Sequence, residues 1–356
     1  MTAAALVSIA ARNKWPLEFL SLNDSTGPHM LAYAGQTISF RGFGRSKIYF
    51  VTSCIAAARQ SPKSADPVIF AAHPYLALPA NLARRFSSRS RSVVVAHGVE
   101  VWQPLPGYRR RALVGADLVV APSRYTVEKL ISVQGVAPDR AQRLPWPLSP
   151  SFVRLADAPA NLPLPSGFPR DALVILAVGR WARSERYKGA DDLIQAVAQL
   201  RGTFPDVKLV AVGGGDDLPR LRNLANTLGV AARVHFLENL TREEIAACYA
   251  QADLFALPST GEGFGLVFLE AMAFSKAVMG VAAGGATDVI DNGVNGLLVP
   301  PGDPGALQQA LAQLLGDEPL RKKLGRRAAE IVREKHRFDV FQAEVETILG
   351  RPGLQR

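Results

Sequence analysis

Short apolar runs rich in Val, Ile and Leu recur along the chain. Between them lie segments whose apolar residues return every three or four positions. The runs are P-V-I-F-A-A-H (67–73), S-V-V-V-A-H-G (92–98) and D-L-V-V-A-P-S (117–123). After a gap come A-L-V-I-L-A-V-G (172–179), V-K-L-V-A-V-G-G-G (207–215), R-V-H-F-L (233–237), D-L-F-A-L-P-S (253–259) and A-V-M-G-V (277–281). Strands that are apolar on both faces belong to parallel sheets covered by helices. The stretches 188–202 and 241–250 carry the helical period between them. This alternation predicts an α/β protein with two doubly wound, Rossmann-like parallel sheets.

The gap is informative. Residues 144–169 hold seven prolines. Proline lacks a backbone donor and fixes φ, which excludes core helix and central strand. The reading is therefore an N-terminal domain over 1–150, a linker over 151–164 and a second domain over 165–335. The chain opens on a helix-like stretch (2–12) and an apolar run L-E-F-L-S-L (17–22). A parallel α/β domain normally opens on a strand whose following loop meets the ligand. The first domain is expected to lack that strand and loop.

Composition adds bounds. The 356 residues are 48% apolar and 20% charged, as in soluble globular chains. Two cores of this size need no disulfide staples. Cys54 and Cys248 lie far apart, with no Cys or His at metal-ligand spacing. That excludes a disulfide scaffold and the usual zinc site, and suits a reducing cytoplasm. No run of 18 apolar residues predicts a membrane span, and the start lacks the basic region of a signal peptide.

The formal charge is +10, and it is one-sided. Residues 1–150 hold 18 Lys and Arg against 7 Asp and Glu, while the rest hold 23 against 24. Such a surface suits nucleic acid or an anionic membrane. The basic runs R-R-F-S-S-R-S-R (84–91) and Y-R-R-R (108–111) lack interleaved aromatics, which disfavours nucleic acid. A solvated face and docking on anionic lipid remain. R-G-F-G-R-S-K (41–47) lacks the G-K-[ST] ending of a phosphate loop, so it reads as a substrate-facing loop.

The richest chemistry runs from Asp253 to Phe274. A strand ends near Leu257, then Gly261, Gly263 and Gly265 make a loop, and a helix follows from about Gly265. Glycines let backbone N–H groups approach a ligand, and a helix N-terminus favours an anion such as a diphosphate. Glu262 in the loop and Glu270 in the helix are placed to accept bonds from hydroxyls. In V-G-R-W-A-R-S-E-R-Y-K-G (178–189) a strand ends at Val178, Arg180 follows, and Lys188-Gly189 open the next helix. Two cations at the C-terminal edge of a parallel sheet fit a diphosphate. Asp191-Asp192 and Asp216-Asp217 read as helix starts, where carboxylates oppose the positive dipole end.

Together these residues resemble the retaining, nucleotide-sugar-dependent glycosyltransferases of family 4, which have the GT-B fold: two Rossmann-like domains with a cleft between. The resemblance rests on the G-R…Y-K-G loop at 179–189, V-G-G-G-D at 212–216, the Glu262/Glu270 pair within P-S-x-x-E-G-F-G, and A-G-G-A-T-D-V-I-D-N-G-V-N-G-L-L-V-P-P-G-D at 283–303. It covers nearly all of 92–345. H-G-V-E-V-W (97–102) is similar to members that build mannosyl lipids and surface polysaccharides.

The resemblance implies roles. Arg180 and Lys188 hold the donor diphosphate and stabilise it as leaving group. Glu262 contacts the hydroxyls of the transferred sugar, Glu270 binds the ribose, and His97 lines the cleft beside the donor sugar. These four cations and sugar-side groups (Arg180, Lys188, Glu262, His97) are the candidate catalytic residues. Gly179, Gly263, Phe264, Gly265, Leu266 and Glu270 are the donor-binding set. No metal and no cofactor beyond the donor is implied. His73 also ends a strand, as either structural or functional. Ser123-Arg124-Tyr125 resembles the family's S-x-x-T stretch facing the cleft. After R-V-H-F-L the family usually shows glycine, and here Glu238-Asn239 follow near the nucleotide base. The last stretch, 338–356, packs back on the first domain in the family.

The function implied is a retaining hexosyltransferase acting from GDP-mannose or a UDP-sugar on a lipid-linked or polysaccharide acceptor. It would work in the cytoplasm, peripherally on an anionic membrane through the basic half. The alternative is a truncated or degenerate member that binds nucleotide-sugar without turnover. A phosphorylase would need a pyridoxal-phosphate lysine context, which is absent from the sequence.

Overall fold

The computed structural model describes residues 2–33, 36–61, 66–87 and 89–350. Two compact units divide the chain. Unit 1 is the chain up to Ser149 together with the segment from Phe338 onward, and unit 2 is Pro150–Arg337.

Unit 1 opens with α1 (Thr2–Asn13), followed by β1 (Leu20–Ser21), β2 (Gly27–Tyr33) and β3 (Gln36–Gly42). These three strands form a small mixed sheet in the order β1-β3-β2, with β3 parallel to β1 and antiparallel to β2. The apolar pattern did not announce this hairpin, because β2 leaves Met30 and Leu31 facing solvent. Next come α2 (Lys47–Gln60), β4 (Val68–Ala71), α3 (Ala77–Arg84), β5 (Arg91–Val95), α4 (Gly107–Val114), β6 (Leu118–Ala121), α5 (Arg124–Lys129) and β7 (Ala141–Arg143). Strands β4 to β7 pair in sequence order and all in parallel. Val93, Val94 and Val95 of β5 and all of β6 are buried, so these strands read as unbroken apolar runs.

Unit 2 begins with α6 (Pro150–Asp157), inside the proline-rich stretch expected as a linker. Proline at the first helical position loses no bond, because that N–H has no helical partner anyway. The helix buries Phe152 edge-on against Tyr249 and Phe274, with ring centroids 5.8 and 5.7 Å apart. The order continues β8 (Leu173–Val178), α7 (Ala190–Leu200), β9 (Val207–Val212), α8 (Leu218–Thr227), β10 (Val234–Leu237), α9 (Arg242–Gln251) and β11 (Leu254–Leu257). Then follow α10 (Leu266–Ala273), β12 (Ala277–Val281), α11 (Ala286–Val289), β13 (Gly296–Val299), α12 (Pro304–Gly316) and α13 (Glu318–Lys335). The six strands are all parallel, in the order β10-β9-β8-β11-β12-β13. Helix α7 buries Leu193, Ile194, Ala196, Val197 and Leu200, one stripe at helical spacing. Helix α9 starts in a capping box between Thr241 and Glu244.

A last helix, α14 (Phe338–Gly350), belongs to unit 1. Its Glu346 accepts from Arg12 and Asn13 of α1. Phe341 packs on Trp146, and Arg91 donates to the carbonyl of Leu349. Residues 351–356 of the expected final segment, and Ser88 of the basic run 84–91, lie outside the described residues.

Candidate functional site

In unit 2 the strand order reverses between β8 and β11. Connections leaving the C-terminal ends of such neighbours run to opposite sides, and the crevice between them is where open α/β sheets bind ligands. The loop after β8 carries Gly179 through Lys188, and the loop after β11 carries Pro258 through Gly265. Both sequence-predicted motifs therefore leave the switch point, on adjacent strands.

Lys188 and Glu262 meet there. Nζ of Lys188 donates to Oε1 of Glu262 at 3.1 Å and stands 3.9 Å from Oε2 of Glu185. Both side chains are mostly buried. Arg180 projects outward, with its side chain 71% exposed, and pairs with Glu185. Glu185 thus links the two candidate cations. The sequence reading passed over it, although it sits between them in S-E-R-Y-K.

The glycine-rich loop is held close to its neighbours. Gly265 caps α10 at φ +95°, a left-handed conformation that favours glycine. Gly285 lies against the loop: its N–H donates to Glu262 O at 2.7 Å, and a Cβ there would stand 2.5 Å from Phe264 Cα. The motif at 283–303 therefore supports the backbone that carries Glu262. Phe264 itself is buried and packs on His336 at 5.8 Å, so its contribution to the crevice is its backbone. Leu266 is the first residue of α10, and Gly263 lies in the loop before it.

Glu270 stands on α10 and keeps part of its surface exposed. Burial pushes its carboxyl up to about 7, against the opposing pull of the Tyr249 hydroxyl and of Arg242. Tyr249, on α9, is fully buried and donates to Oε2 of Glu270 at 3.0 Å. The sequence hint for Tyr249 is slight: one polar-tipped ring in the apolar string I-A-A-C-Y-A.

The aspartates do more than cap. Asp217 is the N-cap of α8 yet makes no side-chain cap bond. It is 2% exposed and accepts from Arg220 and Arg186. Arg220 also grips Asp191 at the start of α7, with Nη2 2.8 Å from Oδ2. These guanidiniums hold Asp217 below the usual carboxylate range. Asp216 accepts from the backbone N–H of Arg183 at 2.9 Å. The cluster ties the 183–188 loop to two helix starts, which corrects the simple dipole reading. Glu238, at the end of β10, pairs with Arg222 at 3.1 Å.

In unit 1, His97 follows β5 and lies beside His73, with ring centroids 5.7 Å apart. His97 Nε2 lies 2.7 Å from the carbonyl of Ala72, and since a carbonyl can only accept, Nε2 donates to it. Glu100 accepts from the His97 backbone N–H at 2.5 Å, giving the H-G-x-E spacing a structural reason. Trp146 stacks on His97 at 5.7 Å. Burial, His97 and Arg109 press the His73 imidazole below its usual value, against Glu100. Of the ten candidate site residues, His97 belongs to unit 1 and the other nine to unit 2.

Ser123 and Thr126 are fully buried, and Ser123 caps α5 by accepting from Thr126 N at 3.2 Å. Ser123 and Thr126 thus serve the helix start, while Arg124 between them is exposed. In the basic runs, Arg84 pairs with Asp117, and Arg110 donates to the carbonyl of Gln134 at 2.7 Å. Arg89 is exposed and pairs with Asp66 at 2.7 Å, and Arg85 and Arg111 are exposed as well. The segment 41–47 is the end of β3, a turn with Arg45 at φ +66°, and the start of α2.

Comparison with known proteins adds the family. Residues 163–331 match the group 1 glycosyl transferases, and residues 9–152 match glycosyltransferase family 4. A GDP-mannose-dependent alpha-(1-6)-phosphatidylinositol monomannoside mannosyltransferase of Mycolicibacterium smegmatis is 36% identical over 263 residues, 71% of this chain and 68% of its own. A D-inositol 3-phosphate glycosyltransferase of Acidothermus cellulolyticus is 34% identical over 262 residues, 69% of this chain and 56% of its own. Among solved structures, Anabaena HepE with UDP and glucose superposes with a TM-score of 0.74 at 22% identity, over 98% of this chain and 95% of its own. Sucrose-phosphate synthase of Thermosynechococcus elongatus gives 0.73 at 23% identity, over 96% and 90%. Among the described residues no helix is long and apolar enough to cross a membrane.

Proposed function

The chain belongs to glycosyltransferase family 4 and has the GT-B fold, and from that premise we propose that it is a retaining hexosyltransferase acting from a nucleotide-diphospho-sugar on a lipid-linked or glycan acceptor. The observation that carries this reading is the meeting of Lys188 and Glu262 across the β8/β11 switch point, with Arg180 and Glu185 beside them.

In the proposed reaction the bond between the anomeric carbon and the diphosphate oxygen breaks as the acceptor oxygen bonds to the same face. The leaving phosphate oxygen takes the acceptor hydroxyl's proton. Negative charge gathers on the diphosphate, where Lys188 and Arg180 stabilise it electrostatically. Glu262 orients the sugar through its hydroxyls and Glu270 accepts from the ribose. The two cations supply the positive charge, so the scheme includes no metal and no cofactor.

The GDP-mannose dependence of the M. smegmatis relative supports GDP-mannose as donor, with UDP-sugars the competing choice. Exposed Arg85 and Arg111, near exposed Phe86 and Tyr108 in sequence, support docking on an anionic membrane from the cytoplasmic side. Such attraction is worth about 1 kcal/mol per basic residue near the surface.

A thermal-shift screen with GDP, UDP and their sugars tests the donor. Ligand at 100 times its dissociation constant stabilises by about 2.7 kcal/mol. Proton NMR of the first product then reads the anomer. A product of inverted configuration, or no nucleotide-dependent shift, overturns the proposal.

A further inference from the structure

Resting on the reading of Glu270 as the ribose-binding carboxylate, we propose that Tyr249 is a positioning residue for the donor: its buried hydroxyl holds Oε2 of Glu270 and thereby aims the carboxylate at the ribose hydroxyls.

The donor is fixed in space. The Tyr249 ring is fully buried and stacks on Phe274 at 6.0 Å and 9°. Phe255 lies 5.7 Å away, and Phe152 of α6 closes the side at 5.8 Å. A ring packed on three sides cannot swing, so its hydroxyl points one way. It lies 3.0 Å from Glu270 Oε2 and 3.3 Å from the carbonyl of Val267, one turn earlier on α10. The carboxylate is the nearer acceptor, and when ionised it takes the stronger bond.

The acceptor, by contrast, hangs on a flexible stem. A glutamate has three rotatable side-chain bonds, and fixing it for a ligand costs entropy unless something already holds it. Arg242 acts on the carboxylate from α9, but its guanidinium also donates to Ser151 Oγ at 2.6 Å. The Tyr249 bond is thus the direct one. Each carboxylate oxygen has two lone pairs, so Oε2 can take the phenol and still leave the group able to accept from a vicinal diol.

Packing alone does not require this hydroxyl. Phenylalanine would fill the same ring site, and a buried hydroxyl is costly without a partner. Of its two acceptors, the nearer is the carboxylate assigned to the ribose.

The test uses the full chain with Tyr249→Phe and Glu270→Gln, both checked for folding by circular dichroism. The probes are GDP and UDP, each compared with its 2′,3′-dideoxy analogue by calorimetry. Tyr249→Phe is expected to weaken the preferred ribonucleotide about tenfold while leaving its dideoxy analogue unchanged. Donor KM should rise by more than kcat falls. Equal weakening of both nucleotides, or of neither, with Glu270→Gln still erasing the preference for ribose, overturns the role of Tyr249 and leaves the ribose reading standing. A preference for ribose that survives Glu270→Gln overturns the ribose reading, and the role of Tyr249 with it.

Discussion

Lys188 Nζ lies 3.1 Å from Glu262 Oε1, joining two loops that leave adjacent strands at the point where the sheet order reverses. The side chains are 15% and 13% exposed, so neither charge is well solvated. The ammonium faces the carboxylates of Glu262 and Glu185. A bound diphosphate must compete for it.

This sets the expected outcome for Lys188→Ala. Removing a cation that faces developing charge lowers turnover on the order of 10²–10³-fold. It also strands Glu262, while Glu185 keeps Arg180, and losing one partner of a largely buried pair costs about 3 kcal/mol. Steady-state transfer assays and urea unfolding measure the two effects separately. Wild-type turnover in the variant would contradict the assignment.

A second prediction concerns Asp217, which holds Arg220 and Arg186 while nearly fully buried. Asp217→Ala leaves two guanidiniums without that acceptor and loosens the 183–188 loop, which keeps its bond from Arg183 N to Asp216. The expected loss is about 3 kcal/mol in urea unfolding. Donor KM should rise, because Lys188 ends that loop. Asp217→Asn should recover part of the stability by accepting one bond.

Much of this site was legible because its strands are buried on both faces. Runs such as A-L-V-I-L-A-V-G and D-L-F-A-L-P-S mark both the sheet and the loops that follow it. The β2–β3 hairpin was not legible, since Met30 and Leu31 face solvent and its pattern has no clean alternation. Helix α6 was hidden by counting prolines as breakers, when Pro150 sits at the one helical position that tolerates it. Tyr249, and the ion pairing of Asp217 beyond its place at a helix start, were not legible for another reason. Their partners, Glu270 and Arg186, lie 21 and 31 residues away and meet them only through the fold.

Gly285 gives a third prediction. A Cβ there would press into Gly263 O and stand 2.5 Å from Phe264 Cα, so the backbone must shift. Gly285→Ala is expected to displace the loop carrying Glu262, also straining the bond from Gly285 N to Glu262 O. Misplacement of a catalytic group by about 1 Å costs about 100-fold in rate. The expected signature is a large loss of kcat with a destabilisation of about 1–3 kcal/mol. A crystal structure of the variant reads the displacement directly.

The fourth prediction follows from Glu270, whose carboxyl is pushed up to about 7 by burial. An unfolded glutamate titrates near 4.3. Between these values the folded protein holds a proton that the unfolded chain has released, so folding becomes less favourable as pH rises through the window. Above about pH 7 both states are ionised and the cost is constant. Because the carboxylate keeps an exposed side, solvent screens part of that cost, leaving about 2 kcal/mol. Glu270→Gln removes the charge while keeping the shape. It should therefore raise the melting temperature at pH 8 by on the order of 5 °C and change little at pH 5. Nucleotide binding should move the opposite way, since the ionised carboxylate is the better acceptor for ribose hydroxyls. Glu270→Gln should thus yield a more stable protein that binds donor less tightly. Melting curves of the empty protein at pH 5 and pH 8 check the first half. Equal shifts at both values would mean that Glu270 is already ionised throughout, with Tyr249 and Arg242 outweighing its burial.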